Sequence, residues 1–244
     1  MGVTQDGLLN GRISLRQSAD GYRAGMDAAL LAAACDARDG DRVIEAGCGP
    51  GAALLAAAVR RPGAQFTGVE RDPQALALAT ENIGLNDLGE RVTAIAGDVT
   101  APFKALGLAP FDAALANPPY FDDAKAIRGP APAKTGAWIA DGGLTAWSAF
   151  LLKAVRDGGT ITVIHRADRL ADILQHLGDK AGSFRIRPVQ PRADAPAKRV
   201  LVRAIKGGKA PLVLLPALVL HDADGAHTSA AEAILRGGAD LPWT

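Results

Sequence analysis

Four consecutive residues, Asn117-Pro118-Pro119-Tyr120, carry the most specific chemistry in the chain. Two prolines in succession fix the backbone and remove two N–H donors, which leaves the Pro118 carbonyl presented as a bare acceptor. The Asn117 side chain offers a second acceptor, and Tyr120 offers a flat face. A nitrogen conjugated to a ring or a carbonyl is a weak nucleophile, because its lone pair is delocalised. Two acceptors that hold its hydrogens favour a pyramidal nitrogen and turn the lone pair towards an electrophile. Positioning and electrostatics then supply most of the rate, with no strong base needed. The Tyr120 ring would stack on the planar group that bears the nitrogen.

A second motif, Glu45-Ala46-Gly47-Cys48-Gly49-Pro50-Gly51, brings backbone N–H groups close to a ligand with no Cβ in the way. The Gly-x-Gly-x-Gly spacing, with Ala52 following, is tighter than the Gly-x-Gly-x-x-Gly of dinucleotide sites. Glu45, two residues before the first glycine, would repel a pyrophosphate. It suits a ligand that carries a sulfonium and an ammonium group. Glu70 could accept two hydrogen bonds from a ribose diol, and Asp98 could meet an adenine amine.

These residues fall at the ends of apolar, β-branched runs. Strands are predicted at 42–46, 65–70, 91–96, 111–116 and 159–165, and helices at 26–35, about 51–60, 73–85, 144–156 and 168–178. Asp72-Pro73 reads as an N-cap followed by proline in the first turn. The alternation implies an α/β fold with a mostly parallel sheet and helices on both faces. Two further strands, 184–190 and 199–205, are joined by a short connection and are expected to run antiparallel. Residues 122–143 form the longest irregular stretch, and a long loop after a strand is usually functional. The arm that precedes residue 26 has no clear period.

Of 244 residues, 48% are hydrophobic and only 5% aromatic, so the core must be built from small aliphatic side chains packed closely. No apolar run reaches the roughly 18 residues of a membrane span, and the N-terminus lacks an apolar stretch of signal-peptide length. Cys35 and Cys48 form neither a metal-ligand spacing nor a disulfide framework, which points to a reduced, cytoplasmic protein. His165, His176, His221 and His227 are scattered and imply no metal. Trp138, Trp147 and Trp243 read as packing residues, with Trp138 a candidate for base contact. The net charge is +1, but Arg185–Lys209 holds eight basic residues and one acid, Asp194, which leaves −6 elsewhere. Such a stretch either meets a polyanion or guards a solvated sheet edge. On the first reading Arg199 and Arg203 steer RNA.

The Asn117–Tyr120 motif with the glycine-rich turn upstream resembles the amino-methyltransferases that include DNA adenine methylases, release-factor glutamine methylases and RNA base methylases. The opening LNGRISLRQSADGYRAGMDAALLAAA, the basic strand AKRVLVRAIKGG and the tail LVLHDADGAHTSAAEAIL are similar to the bacterial tRNA adenine-N6-methyltransferase family acting on valine tRNA beside its anticodon. The resemblance covers essentially the whole chain. It implies a Rossmann-like class I fold with a seven-stranded sheet whose last strand is antiparallel. It implies one domain over 1–244, with 1–40 as an arm and helix over the cofactor site. The implied cofactor is S-adenosyl-L-methionine and the implied partner tRNA, with no membrane and no metal. A protein glutamine amide is the alternative substrate, and a non-catalytic RNA-binding protein the alternative class. Cofactor residues carried over are Glu45, Gly47, Gly49, Glu70 and Asp98, with Ala46, Cys48, Arg71, Gly97, Val99 and Asn117 at the same strand ends. Tyr22, Arg23, Ala24, Gly25 and Asp27 would close over the methionine end, although Asp27 could equally cap the following helix and Tyr22 could be a packed aromatic. The catalytic residues carried over are Asn117, Pro118, Pro119 and Tyr120. The segment RGPAPAKTGAWIADGGL, residues 128–144, departs from the family's more basic loop, with only Arg128 and Lys134.

Overall fold

The computed structural model of the chain describes residues 2–19, 25–120 and 143–244. A hairpin of β1 (Val3–Leu8) and β2 (Ile13–Ser18) comes first, then α1 (Met26–Ala33), β3 (Arg42–Ala46) and α2 (Ala52–Arg60). β4 (Gln65–Glu70), α3 (Pro73–Leu85), β5 (Val92–Ala96) and β6 (Phe111–Ala116) follow. Beyond the undescribed segment lie α4 (Gly143–Ala154), β7 (Val155–Arg166), α5 (Leu170–Gly178), β8 (Ala181–Gln190), β9 (Arg199–Lys206), β10 (Val213–Leu214), β11 (Leu218–Val219) and α6 (Ser229–Leu235).

The main sheet runs β10-β8-β9-β7-β6-β3-β4-β5, with β11 also beside β8. β9 is antiparallel to β7 and β8, and the other described pairs in this sheet are parallel. The α/β class and the antiparallel final long strand are as expected. The sheet has nine strands where seven were expected, because two-residue β10 and β11 dock on the outer side of β8. Each is too short to show a period, and Pro211 and Pro216 interrupt the apolar run that holds them.

Small residues let the helices sit close to the sheet. Residues 52–58 of α2 and 27–33 of α1 are all buried. One core lies on the side of α1, α2, α3 and α6, and the other lies between the sheet and α4 and α5. Asp72 accepts from the Gln74 N–H at 2.8 Å and caps α3, as its Asp-Pro start predicted.

Residues 3–18 of the arm, which show no clear period in sequence, form a β-hairpin. Its turn carries positive φ at Leu9, Asn10 and Gly11. Asn82 on α3 and Asn86 at its C-cap, one turn apart, hold it. Asn82 Oδ1 accepts from the Arg16 N–H at 2.7 Å, and Asn86 Oδ1 accepts from the Ser14 N–H at 2.8 Å. Their amide groups donate back to the Arg16 and Ser14 carbonyls, so α3 presents a copy of a strand edge to β2. Asn82 Nδ2 also donates to the Pro50 carbonyl at 2.9 Å, which joins the hairpin to the glycine-rich turn.

Candidate functional site

Register places the expected residues at one edge. Ala46 pairs with both Val69 and Ala116, and Glu70 pairs with Ala96. Gly47, Glu70, Gly97 and Asn117 therefore stand at the carboxyl ends of four neighbouring parallel strands. The chain reverses its direction of winding between β3 and β6, the crevice where open α/β sheets bind ligands.

The turn after β3 is built from left-handed glycines, with φ of 62° at Gly47, 54° at Gly49 and 91° at Gly51. A side chain at Gly47 would also run into the Trp147 indole from α4, so this position needs glycine on two counts. At Gly49 no atom of the described residues lies within 4 Å of where a Cβ would stand. Trp147 and Trp243 pack as expected, the latter donating its indole N–H to the Ala34 carbonyl.

Carboxylates surround the turn. Glu45 is 3% exposed. Burial first, and the Glu70 charge second, push its carboxyl well above the usual range, although it accepts the Leu54 N–H. Its Oε2 has no hydrogen-bond partner among the described residues. Glu70 Oε2 accepts from the Gly49 N–H at 2.8 Å, and Oε1 accepts from the Arg71 and Asp72 N–H groups at 2.9 Å each. The residue expected to meet a ribose thus also braces the glycine turn against the start of α3. Burial would raise the Asp98 carboxyl, but hydrogen bonds from Thr100 and the Arg71 guanidinium 3.6 Å away outweigh it and hold it below its ordinary value. Cys48 is buried against Gly68, and burial with the Glu45 and Glu70 charges pushes its thiol up. Burial pushes Cys35 up to about 12.

The Asn117–Tyr120 turn leaves β6 beside the glycine turn, with Asn117 half-buried. The Tyr120 hydroxyl donates to Asp27 Oδ2 at 2.6 Å. Arg199 Nε donates to the other oxygen of Asp27 at 2.8 Å. The Tyr120 ring meets His165, at the end of β7, edge-on with centroids 5.0 Å apart. Asp27, 5% exposed, does not cap α1, because Gly25 is the N-cap and no side chain caps it. Its carboxylate accepts from Tyr120 and Arg199, an arrangement that sequence reasoning missed. Tyr22, Arg23, Ala24, Arg128, Lys134 and Trp138 lie outside the described residues.

Within the basic stretch, Arg199 pairs with Asp27 at 2.8 Å and Arg203 with Asp36 at 2.6 Å. Arg187 donates to the Pro216 and Pro242 carbonyls, and Lys206 to the Val155 carbonyl. Arg192, Lys198 and Lys209 are exposed. Two of the scattered histidines also meet, His221 stacking on His227 with centroids 4.7 Å apart. No group of three metal-ligating side chains occurs among the described residues. No helix there is long and apolar enough to cross a membrane.

Residues 37–184 match a family model described as a methyltransferase domain. The chain is 32% identical over 112 residues to a tRNA1(Val) (adenine(37)-N6)-methyltransferase of a Flavobacteriaceae bacterium, covering 46% of this chain and 47% of that protein. It is 33% identical over 156 residues to a release factor glutamine methyltransferase of Moorella thermoacetica, covering 61% and 54%. The chain spans about half the length of these curated relatives. Among solved structures, a predicted O-methyltransferase from Agrobacterium tumefaciens superposes with a TM-score of 0.73 at 27% identity, covering 88% of this chain and 98% of that one. TrmN from Thermus thermophilus shares the fold, with a TM-score of 0.52 at 20% identity over 74% of this chain and 48% of that one.

Proposed function

The chain belongs to the methyltransferase-domain family, and from that premise we propose that it is an S-adenosylmethionine-dependent N-methyltransferase. Its substrate in this reading is the exocyclic amine of an adenine in valine tRNA, next to the anticodon, in the cytoplasm. The observation that carries the reaction type is the Asn117–Tyr120 turn at the end of β6, level with Gly47 on the neighbouring strand.

The residues present fit the cofactor. Among the described residues, buried Glu45 keeps an oxygen without a partner and Gly49 has no atom against its Cβ position, and Glu70 and Asp98 add further carboxylates along the same edge. That field favours a cation over a pyrophosphate. Glu45, Gly47 and Gly49 would hold the methionine end, Glu70 the ribose and Asp98 the adenine. When bound, the cofactor supplies an electrophilic methyl group on a sulfonium. Asn117 Oδ1 and the Pro118 carbonyl accept the two hydrogens of the substrate amine and hold them as the nitrogen becomes pyramidal and cationic. Tyr120 sets the plane of the base. The apolar packing of α4 behind Gly47 keeps water from that side of the turn.

A protein glutamine amide is the second reading. It is favoured by the match to the release factor enzyme and by the planarity that an amide shares with an amino-purine. Purified protein with isotopically labelled S-adenosylmethionine, offered unmodified bulk tRNA and a glutamine-containing peptide, decides between them. Label in valine tRNA at the adenine beside the anticodon is expected. Label in the peptide alone would overturn the tRNA assignment, and label in neither would overturn the activity.

A further inference from the structure

We infer that Asp27 is a positioning residue for the Asn117–Tyr120 turn, holding the Tyr120 phenol and the Arg199 guanidinium on its two carboxylate oxygens and so setting the plane of the Tyr120 ring. The inference rests on the N-methyltransferase reading above.

Asp27 lies in the first turn of α1, where the positive end of the helix favours an anion. A carboxylate this deeply buried is costly unless it is paired and hydrogen-bonded. Here each oxygen takes a donor from a distant segment. Tyr120, 93 residues away, donates at 2.6 Å, within the range of roughly 2.5–2.7 Å for a hydroxyl on an anion. Arg199, 172 residues away on β9, donates at 2.8 Å. Three elements, α1, the turn after β6 and the start of β9, therefore meet at one carboxylate.

The consequence for Tyr120 is geometric. A tyrosine side chain has two rotatable bonds. Tethering its hydroxyl to Asp27 while its ring meets His165 at 67° constrains both. The Arg199 guanidinium carbon lies 5.8 Å from the ring centroid and limits the same motion. Stacking on a base needs only the ring. The hydroxyl and its carboxylate instead decide the angle at which the ring, and hence the substrate nitrogen, meets the oxygens of Asn117 and Pro118. A shift of about 1 Å in such an arrangement can cost on the order of a hundredfold in rate.

This separates the rate from binding. Asp27→Asn and Tyr120→Phe are each expected to lower kcat about tenfold or more, with the KM for tRNA nearly unchanged because the stacking face remains. Both remove the same bond, so the double variant should fall no further than either single one. A purely structural role would lower stability and leave kcat per folded molecule alone. A second readout needs no substrate. The chain has two tyrosines, Tyr22 and Tyr120, so the Cζ carbons of 13C-labelled tyrosine give two NMR signals, and Tyr120→Phe identifies one by deleting it. That signal should move in Asp27→Asn. A Tyr120 signal that stays in place overturns the tether, and a moved signal with unchanged kcat overturns its positioning role. If the parent protein methylates neither tRNA nor peptide, the functional reading fails by itself, and the NMR shift still decides whether the tether exists. Should Asp27→Asn fail to fold, the kcat and KM of Tyr120→Phe carry the decision.

Discussion

Replacing Asn82 by alanine tests how the arm and the glycine turn are held together. The side chain is fully buried, at 0% exposure. Its oxygen accepts the Arg16 N–H at 2.7 Å, and its nitrogen donates to the Arg16 and Pro50 carbonyls at 2.9 Å each. Alanine removes three hydrogen bonds of about 0.5–1.5 kcal/mol each and strands their backbone partners, for a loss of roughly 2–4 kcal/mol. That is a large share of the roughly 5–15 kcal/mol that holds a typical domain. Asn82→Asp should be at least as damaging, because a buried carboxylate would face the two carbonyls that the amide now satisfies. Urea unfolding reads the loss as a fall in midpoint at constant slope. Since Pro50 sits in the glycine turn, S-adenosylmethionine affinity should fall with stability. A change below about 0.5 kcal/mol, the scale of an inert surface substitution, would refute the idea that α3 serves as a strand edge for the hairpin.

Other outcomes follow from the site. Burial holds the Glu45 carboxyl well above 4.5 in the free protein, so binding an ammonium group should release its proton. Cofactor affinity should rise with pH through that elevated range, and Glu45→Gln should flatten the profile in calorimetry. For folding the sign is opposite: the Glu45 contribution is full below 4.5 and is lost as pH rises through the folded value, so Glu45→Gln should remove that loss. Glu70→Ala should weaken cofactor binding by roughly 1.5–3 kcal/mol, the scale of hydrogen bonds to a charged group. It should also lower stability, because Glu70 accepts the Gly49 N–H. Asn117→Ala should leave cofactor affinity intact and lower the single-turnover rate about a hundredfold; retention of most of that rate would contradict amine activation.

The frame was legible because its signals are local. β3, β4, β6 and α3 begin and end where their apolar runs and the Asp72-Pro73 cap predicted. The three glycines with Glu45 and the Asn117–Tyr120 turn were legible because each needs a residue type that few other local structures require. The partners of those residues were not. Nothing near Asp27 in sequence marks it for Tyr120 and Arg199, which only the folded chain brings within reach. The same holds for Arg199 and Arg203, which read as a basic patch while their acids lie in the first turn of α1 and three residues past its end. Asn82 and Asn86 did leave a trace, since two asparagines four apart on one helix face are poor helix formers with an unmet need for partners. The hairpin was missed because its strands carry glycine, asparagine and charge in place of a clean alternation.

The central claim is that the Asn117–Tyr120 turn directs methyl transfer to a planar nitrogen. Nuclease digestion of tRNA treated with the protein and S-adenosylmethionine, followed by mass analysis of the nucleosides, tests it most directly. The account predicts N6-methyladenosine, formed about a hundredfold more slowly when the protein carries Asn117→Ala. A ribose O-methyl nucleoside, or N6-methyladenosine formed equally well by the Asn117→Ala protein, would contradict it.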